Sequence, residues 1–281
     1  MTIDTQTHHK NDLLGEFIGT FILVFFGCGS VAVAVLFSAF SGLFQIASVW
    51  GIGVALAIYA SRHLSNAHLN PAVSVAMVIA GRMSFRELLS YLVGQFLGAF
   101  MAAVVLYILF NSSIVQFEAL NGIVRGSVES VKTAMLFGEF YPNPGNEIAG
   151  NVSTMNAIYG EAFGTFLLVF FIFSLTEGCN VGQPDSSLAP LFIGGAVAII
   201  ISIIAPLTQA GLNPARDLAP RIFSMFAGWG QAAFPDDHYG FLTVYVLAPI
   251  GGGILAALLF KKIVQPMVEK KQRALSGAKN L

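Results

Sequence analysis

Leu-Asn-Pro-Ala occurs twice, at residues 69–72 and 212–215, 143 positions apart and each time inside an apolar part of the chain. A second pair keeps nearly the same offset. Residues 15–26 read GEFIGTFILVFF and residues 160–171 read GEAFGTFLLVFF, with nine of twelve positions identical at a spacing of 145. Two independent matches at nearly one spacing mean that one half of the chain is a copy of the other. Whatever the Asn-Pro-Ala motif builds is therefore built twice.

Composition places both copies in a bilayer. Charged residues make up 10% of the 281 positions and apolar residues 56%, against about 25% charge in a soluble domain. Six apolar segments, at 13–37, 43–61, 85–110, 155–175, 188–207 and 241–263, are long enough to cross a hydrocarbon core about 30 Å thick. Two shorter apolar stretches, 71–80 and 214–227, each begin at an Asn-Pro and read as re-entrant half-helices. The expected fold is an all-α membrane protein of six transmembrane helices plus two half-helices. With three spans per half, the second copy enters the membrane from the opposite side, an inverted repeat with its site near the midplane. The expected divisions are a tail at 1–12, a membrane domain at 13–264 and a tail at 265–281. Within the domain, the first repeat is 13–110, an ordered outer loop 111–153 and the second repeat 154–264.

Lys261, Lys262, Lys270, Lys271 and Arg273 follow the sixth span, and Arg62, Arg82 and Arg86 flank the first half-helix. By the positive-inside rule these share the cytoplasm with both termini. The first twelve residues lack a basic start and a cleavage site, so they read as a retained tail. Net charge is −1, and nothing suggests a nucleic-acid partner. Cys28 and Cys179 lie in a span and in a polar loop and form no disulfide framework.

The motif has a physical reading. Asn70 and Asn213 are suited to cap the helices that Pro71-Ala72 and Pro214-Ala215 begin, since asparagine favours the cap and proline the first turn. Each side-chain oxygen would face its own helix, leaving the amide NH₂ as a donor at the midplane. Two positive helix ends meeting there repel cations and welcome a solute's oxygen. Non-helical backbone at this depth has to line a wet cavity. Asn66, Ala67, His68 and Leu69 in the first half, and Gln209, Ala210 and Gly211 in the second, would offer it a ladder of carbonyl acceptors.

Arg216 is an intramembrane charge one turn beyond Asn213, where it would face the pathway and repel cations. Asp217 reads as a capping or pairing carboxylate. Glu16 and Glu161 are repeat equivalents, each expected to accept hydrogen bonds from its own half's irregular loop; a proton relay is the sharper alternative. His68 reads as a loop brace or a pore-lining group, with no second ligand at metal spacing. The G-x-x-x-G pairs at Gly15/Gly19, Gly94/Gly98 and Gly160/Gly164 are expected to pack helices closely.

The doubled Asn-Pro-Ala, the Gly-Glu-x-x-Gly-Thr repeats and the arginine after the second asparagine resemble the aquaporin family. Asp217 and the loop with GIVRGSVESV and YPNP resemble its bacterial glycerol facilitator branch. The resemblance implies passive conduction of glycerol and similar small neutral solutes, with water also passing and ions and protons excluded. It implies a homotetramer in lipid, multi-pass in a plasma (bacterial inner) membrane, with no cofactor, no metal and no enzymatic activity. It also implies a selectivity filter of Trp50, Ile201, Ala210 and Arg216. Glycerol facilitators usually carry glycine and phenylalanine where this chain has Ile201 and Ala210, so bulk has moved from one wall to another. The alternatives are a channel selective for water or for another small neutral solute such as urea or a metalloid hydroxide, and, further off, an ion-coupled transporter.

Overall fold

The computed structural model describes residues 5–40, 42–145, 150–235 and 239–278; the outermost parts of the two expected tails, 1–4 and 279–281, lie outside them. Among the described residues there is no strand. Six helices have the length and apolarity of membrane spans: Lys10–Phe37, Leu43–Ser61, Phe85–Leu120, Thr154–Thr176, Ala189–Thr208 and Gly240–Ser276.

The elements are α1 (Thr5–Phe37), α2 (Leu43–Ser61), α3 (Pro71–Ala80) and α4 (Phe85–Leu120) in the first half. A short α5 (Val131–Ala134) lies in the connection. The second half contributes α6 (Thr154–Thr176), α7 (Ala189–Thr208) and α8 (Pro214–Ser224). The last span comprises α9 (Gly240–Leu242), α10 (Ala248–Leu259) and α11 (Gln265–Ala278), joined through two wider i→i+5 turns. Packing follows the duplication. Helix α1 lies against α4 as α6 lies against α10, while α2 and α7 cross each other. The half-helices are exchanged: α3 is bedded on α10 of the second half and α8 on α4 of the first.

Small residues allow the crossings. A Cβ on Gly51 would lie 2.4 Å from the Gly194 carbonyl oxygen, and one on Gly194 would lie 2.2 Å from that of Gly51. These glycines are repeat equivalents, 143 positions apart, so α2 meets α7 at the pseudo-twofold axis. Gly94 and Gly98 seat the α1 carbonyls of Leu13 and Phe17 at 2.5 and 2.3 Å from where a Cβ would stand. Gly15 and Gly19 differ from the helix-packing expectation. Their bare backbone makes room for Ser65 and Leu69 of the first re-entrant loop, and Gly164 does the same for Leu212.

The expected boundaries shift in two places, at the ends of α4 and of the last span. Helix α4 continues to Leu120, ten residues into the stretch expected to be outer loop, because Ile114 and Glu118 lie one turn apart on one inward face. Glu118 accepts from Arg125 Nε (3.0 Å) and from the Thr133 hydroxyl (2.7 Å), which ties the extension to the connection. Beyond Ser224 the second half-helix widens into an i→i+5 turn, and Gly228, at φ 110°, breaks it next to the expected end at Ala227. The last span runs without a break into α11, so helix occupies most of the expected tail.

Candidate functional site

Each Asn-Pro-Ala starts its half-helix through the asparagine. Asn70 Oδ1 accepts from the Ala72 amide at 2.8 Å, and Asn213 Oδ1 accepts from those of Ala215 and Arg216 at 3.0 and 3.2 Å. The two NH₂ groups then cross over. Asn70 Nδ2 donates to the Leu212 carbonyl at 2.9 Å, and Asn213 Nδ2 donates to the Leu69 carbonyl at 2.8 Å. One hydrogen of each amide is thus committed to the opposite loop, leaving the second as a donor. The Leu69 carbonyl, expected in the acceptor ladder, is engaged in this reciprocal lock.

The loops feeding the half-helices carry strain in matched positions. Ala67 and Leu69 have φ 49° and 54°, and their equivalents Ala210 and Leu212 have 62° and 56°. Left-handed backbone costs about 1–2 kcal/mol per non-glycine residue, so something must hold it. Glu16 accepts from the amides of His68 (2.9 Å) and Leu69 (2.7 Å), the Ser65 hydroxyl (2.7 Å) and Gln95 Nε2 (2.7 Å). Glu161 accepts from the amides of Gly211 (2.8 Å) and Leu212 (2.7 Å) and the Thr208 hydroxyl (2.6 Å). Both carboxylates are fully buried. Their oxygens are taken up by the loop that each supports. His68 Nδ1 stands 3.2 Å from the Ser74 hydroxyl, and its ring lies 4.7 Å from that of Tyr91.

A cavity of ≈ 560 Å³ extends past this junction on both sides. Asn66 to Asn70 and Ala210 to Asn213 line its middle, flanked by the apolar side chains of Leu23, Val54, Leu168 and Val197. Trp50, Ile201, Ala210 and Arg216 all reach it toward one end, and Arg62, Arg82, Gln183 and Ser186 toward the other. Gln209 does not line it; its Oε1 accepts from the Phe140 amide at 2.8 Å. The ends are called here the Trp50 mouth and the Arg82 mouth. At the Trp50 mouth the guanidinium lies 4.2 Å over the indole ring. Apolar Ile201 and small Ala210 complete the wall.

Three residues that support this mouth from behind were not anticipated from sequence. Glu139, buried in the connection between α4 and α6, forms an ion pair with Arg216. Its amide donates to Asp217 Oδ1 at 2.6 Å. Arg221 binds Asp217 through Nε (3.1 Å) and Nη2 (2.8 Å), and also donates to the carbonyls of Ala233 (2.7 Å) and Glu139. Asp217 thus pairs within its own half-helix and anchors the connection between α4 and α6. Gly27 makes room for the tryptophan, since a Cβ there would lie 2.2 Å from the Trp50 ring. The available signals were an acidic residue in an apolar loop, a second intramembrane arginine, and a glycine outside any G-x-x-x-G pair.

The major intrinsic protein profile matches residues 4–260. The chain belongs to the major intrinsic protein family. Among its relatives, the glycerol uptake facilitator protein of Haemophilus influenzae is 40% identical over 256 residues, covering 91% of this chain and 94% of that protein. The glycerol uptake facilitator protein of Pseudomonas aeruginosa is 42% identical over 245 residues, 87% of this chain and 85% of that one. A propanediol uptake facilitator of Citrobacter freundii is 36% identical, covering 91% and 92%. The fold matches the X-ray structure of the aquaglyceroporin from Plasmodium falciparum at a TM-score of 0.80, with 24% identity over 93% of this chain and 99% of that one. The family's architecture thus accounts for the six spans and the paired half-helices in one chain.

Proposed function

We propose that this protein is a passive transmembrane channel for glycerol and related small neutral solutes, and that water passes by the same route. The observation that carries this reading is the mixed lining of the Trp50 mouth: an indole ring and Ile201 supply apolar surface beside a guanidinium that can donate to hydroxyls. A polyol presents carbon on one side and hydroxyls on the other, whereas a hydrated ion finds nothing on the apolar wall to replace its shell. An unmade buried hydrogen bond costs about 1–3 kcal/mol, so the lining discriminates by the placement of hydroxyls. The helix starts converging at Asn70 and Asn213 add a positive end from each half, which opposes cations and protons. The facilitators among its relatives are named for glycerol and propanediol, which supports this solute class.

In the same reading the pores assemble as a homotetramer in a bacterial inner membrane, with both termini and the Arg82 mouth in the cytoplasm. The exposed lysines of the last helix support that orientation. The test is stopped-flow light scattering on reconstituted liposomes. Fast reswelling after a glycerol gradient with low activation energy is expected. Rapid water flux without glycerol entry would overturn the glycerol assignment in favour of a water channel closed to polyols by Ile201.

A further inference from the structure

Trp50, Ile201, Ala210 and Arg216 have repeat equivalents 143 positions away, at Ile193, Ile58, Ala67 and Val73. All four equivalents line the same cavity. A Cβ on Gly51 would meet Gly194 and Ala198, and one on Gly194 would meet Gly51 and Ala55, contacts that set α2 and α7 antiparallel. Trp50, Val54 and Ile58 line the cavity at four-residue intervals on α2, and Ile193, Val197 and Ile201 do so on α7. The antiparallel crossing pairs Trp50 with Ile201 toward one end, Val54 with Val197 in the middle, and Ile58 with Ile193 toward the other. The Arg82 mouth thus carries the pseudo-twofold image of the Trp50 mouth. In that image isoleucine stands for the indole and valine for the guanidinium.

The four side chains of this second collar are hydrocarbon. The loop beside it has its backbone amides committed elsewhere. Asn66 N–H donates to the Tyr91 hydroxyl at 3.0 Å, that of Ala67 to the Ser65 hydroxyl at 3.0 Å, and that of His68 to Glu16 at 2.9 Å. What that backbone has left for a solute is its carbonyls, which only accept. A polyol suits such a place: its hydroxyls donate to carbonyls while its C–H groups rest on hydrocarbon. Urea has no C–H group, and its strongly accepting carbonyl oxygen needs a donor. Arg216 can supply one at the Trp50 mouth, whereas Val73 at the equivalent position supplies none, and a buried acceptor left unpaired is costly. We propose that Ile58, Ile193 and Val73 form a donor-free collar that selects against urea and other small amides in favour of polyols. This inference rests on the channel reading above and deepens it, by naming the residues that hold back one class of small neutral solute.

The experiment compares the wild-type chain with Ile193→Gln, Ile58→Gln and Ile193→Met in liposomes, measuring glycerol and urea permeability. Glutamine brings an N–H donor at similar side-chain length; methionine keeps the surface apolar. The wild-type chain is expected to pass glycerol well ahead of urea. Each glutamine should raise the urea-to-glycerol permeability ratio about fivefold, the effect of one hydrogen bond at the barrier. Ile193→Met should keep the wild-type ratio whatever happens to the absolute rates. A rise in either glutamine variant that methionine does not share bears the proposal out. Ratios unchanged in both glutamine variants overturn it, even if every rate falls. An equal rise in Ile193→Met overturns it too, since altered packing and not polarity would then be the cause. So does a wild-type chain that passes urea as fast as glycerol. A wild-type chain that conducts no glycerol defeats the channel reading itself, which separates that failure from an unmoved ratio.

Discussion

The Arg216 guanidinium carbon lies 4.2 Å from the centroid of the Trp50 ring, with the Glu139 carboxylate as its buried ion-pair partner. The mouth therefore holds a stacked, neutralised pair in place of a lone positive charge. Arg216→Ala would leave a buried anion facing the lumen. That variant should leak potassium, whereas Arg216→Ala combined with Glu139→Ala should leak far less, although its slot is equally wide. Ion flux into vesicles loaded with a potassium-sensitive dye distinguishes the two. Equal leaks would show that width, and not the uncovered carboxylate, governs cation passage.

Gly27 allows the tryptophan to stand where it does. A methyl group there would meet the indole at 2.2 Å, so the ring that lines the cavity has to shift. Gly27→Ala is expected to cut glycerol flux by about tenfold, equivalent to roughly 1.4 kcal/mol on the barrier. Melting in detergent should shift by only a few degrees. A comparison of glycerol permeability with thermal stability checks this, and normal flux would mean that the ring finds room elsewhere.

Glu161 satisfies two loop amides and one hydroxyl at once. Glu161→Gln replaces one of its acceptor oxygens by a donor and strands at least one buried amide, at a cost of about 1–3 kcal/mol. The strained Ala210 and Leu212 then lose their anchor, so stability and flux should fall together. Glu16→Gln, at the equivalent position, should behave alike. A proton-relay role would instead leave melting unchanged and make flux depend on pH, which a pH series on the same liposomes would reveal.

Ile201 and Ala210 face one lumen, so bulk can be exchanged between them. Ala210→Phe alone should constrict the mouth and depress glycerol flux. Adding Ile201→Gly should restore it, because the second change returns the space that the first removes. Permeabilities of the single and double variants test this. Independent effects would mean that the two side chains do not share a slot.

Much of this architecture was written in local pattern. The proline-started segment 71–80 is observed as α3 with those bounds, because a cap, a rigid first turn and left-handed Gly81 at its end are all local signals. The residues that line the Trp50 mouth could be located by counting from the motif. The Glu139–Arg216 pair could not, since its partners are 77 positions apart in a loop and a half-helix with no shared period. Gly51 and Gly194 form no spacing motif within one helix; their meaning exists only where two helices cross. The extension of α4 was missed for a different reason. Its sequence, NSSIVQFEAL, is polar enough to read as a loop, and it is held helical by two inward residues and an arginine from outside it.

The exchange of half-helices has a consequence for how the chain is made. Helix α3 is bedded on α10, and Asn70 finds its acceptor on Leu212. While the ribosome has produced only the first three spans, the first re-entrant segment has neither its bed nor its lock. It must wait in the translocation machinery or at the membrane surface until nearly the whole chain has emerged. Neither half is a self-sufficient folding unit, and a single ancestral copy could have closed its pore only by meeting a second copy inserted the other way up.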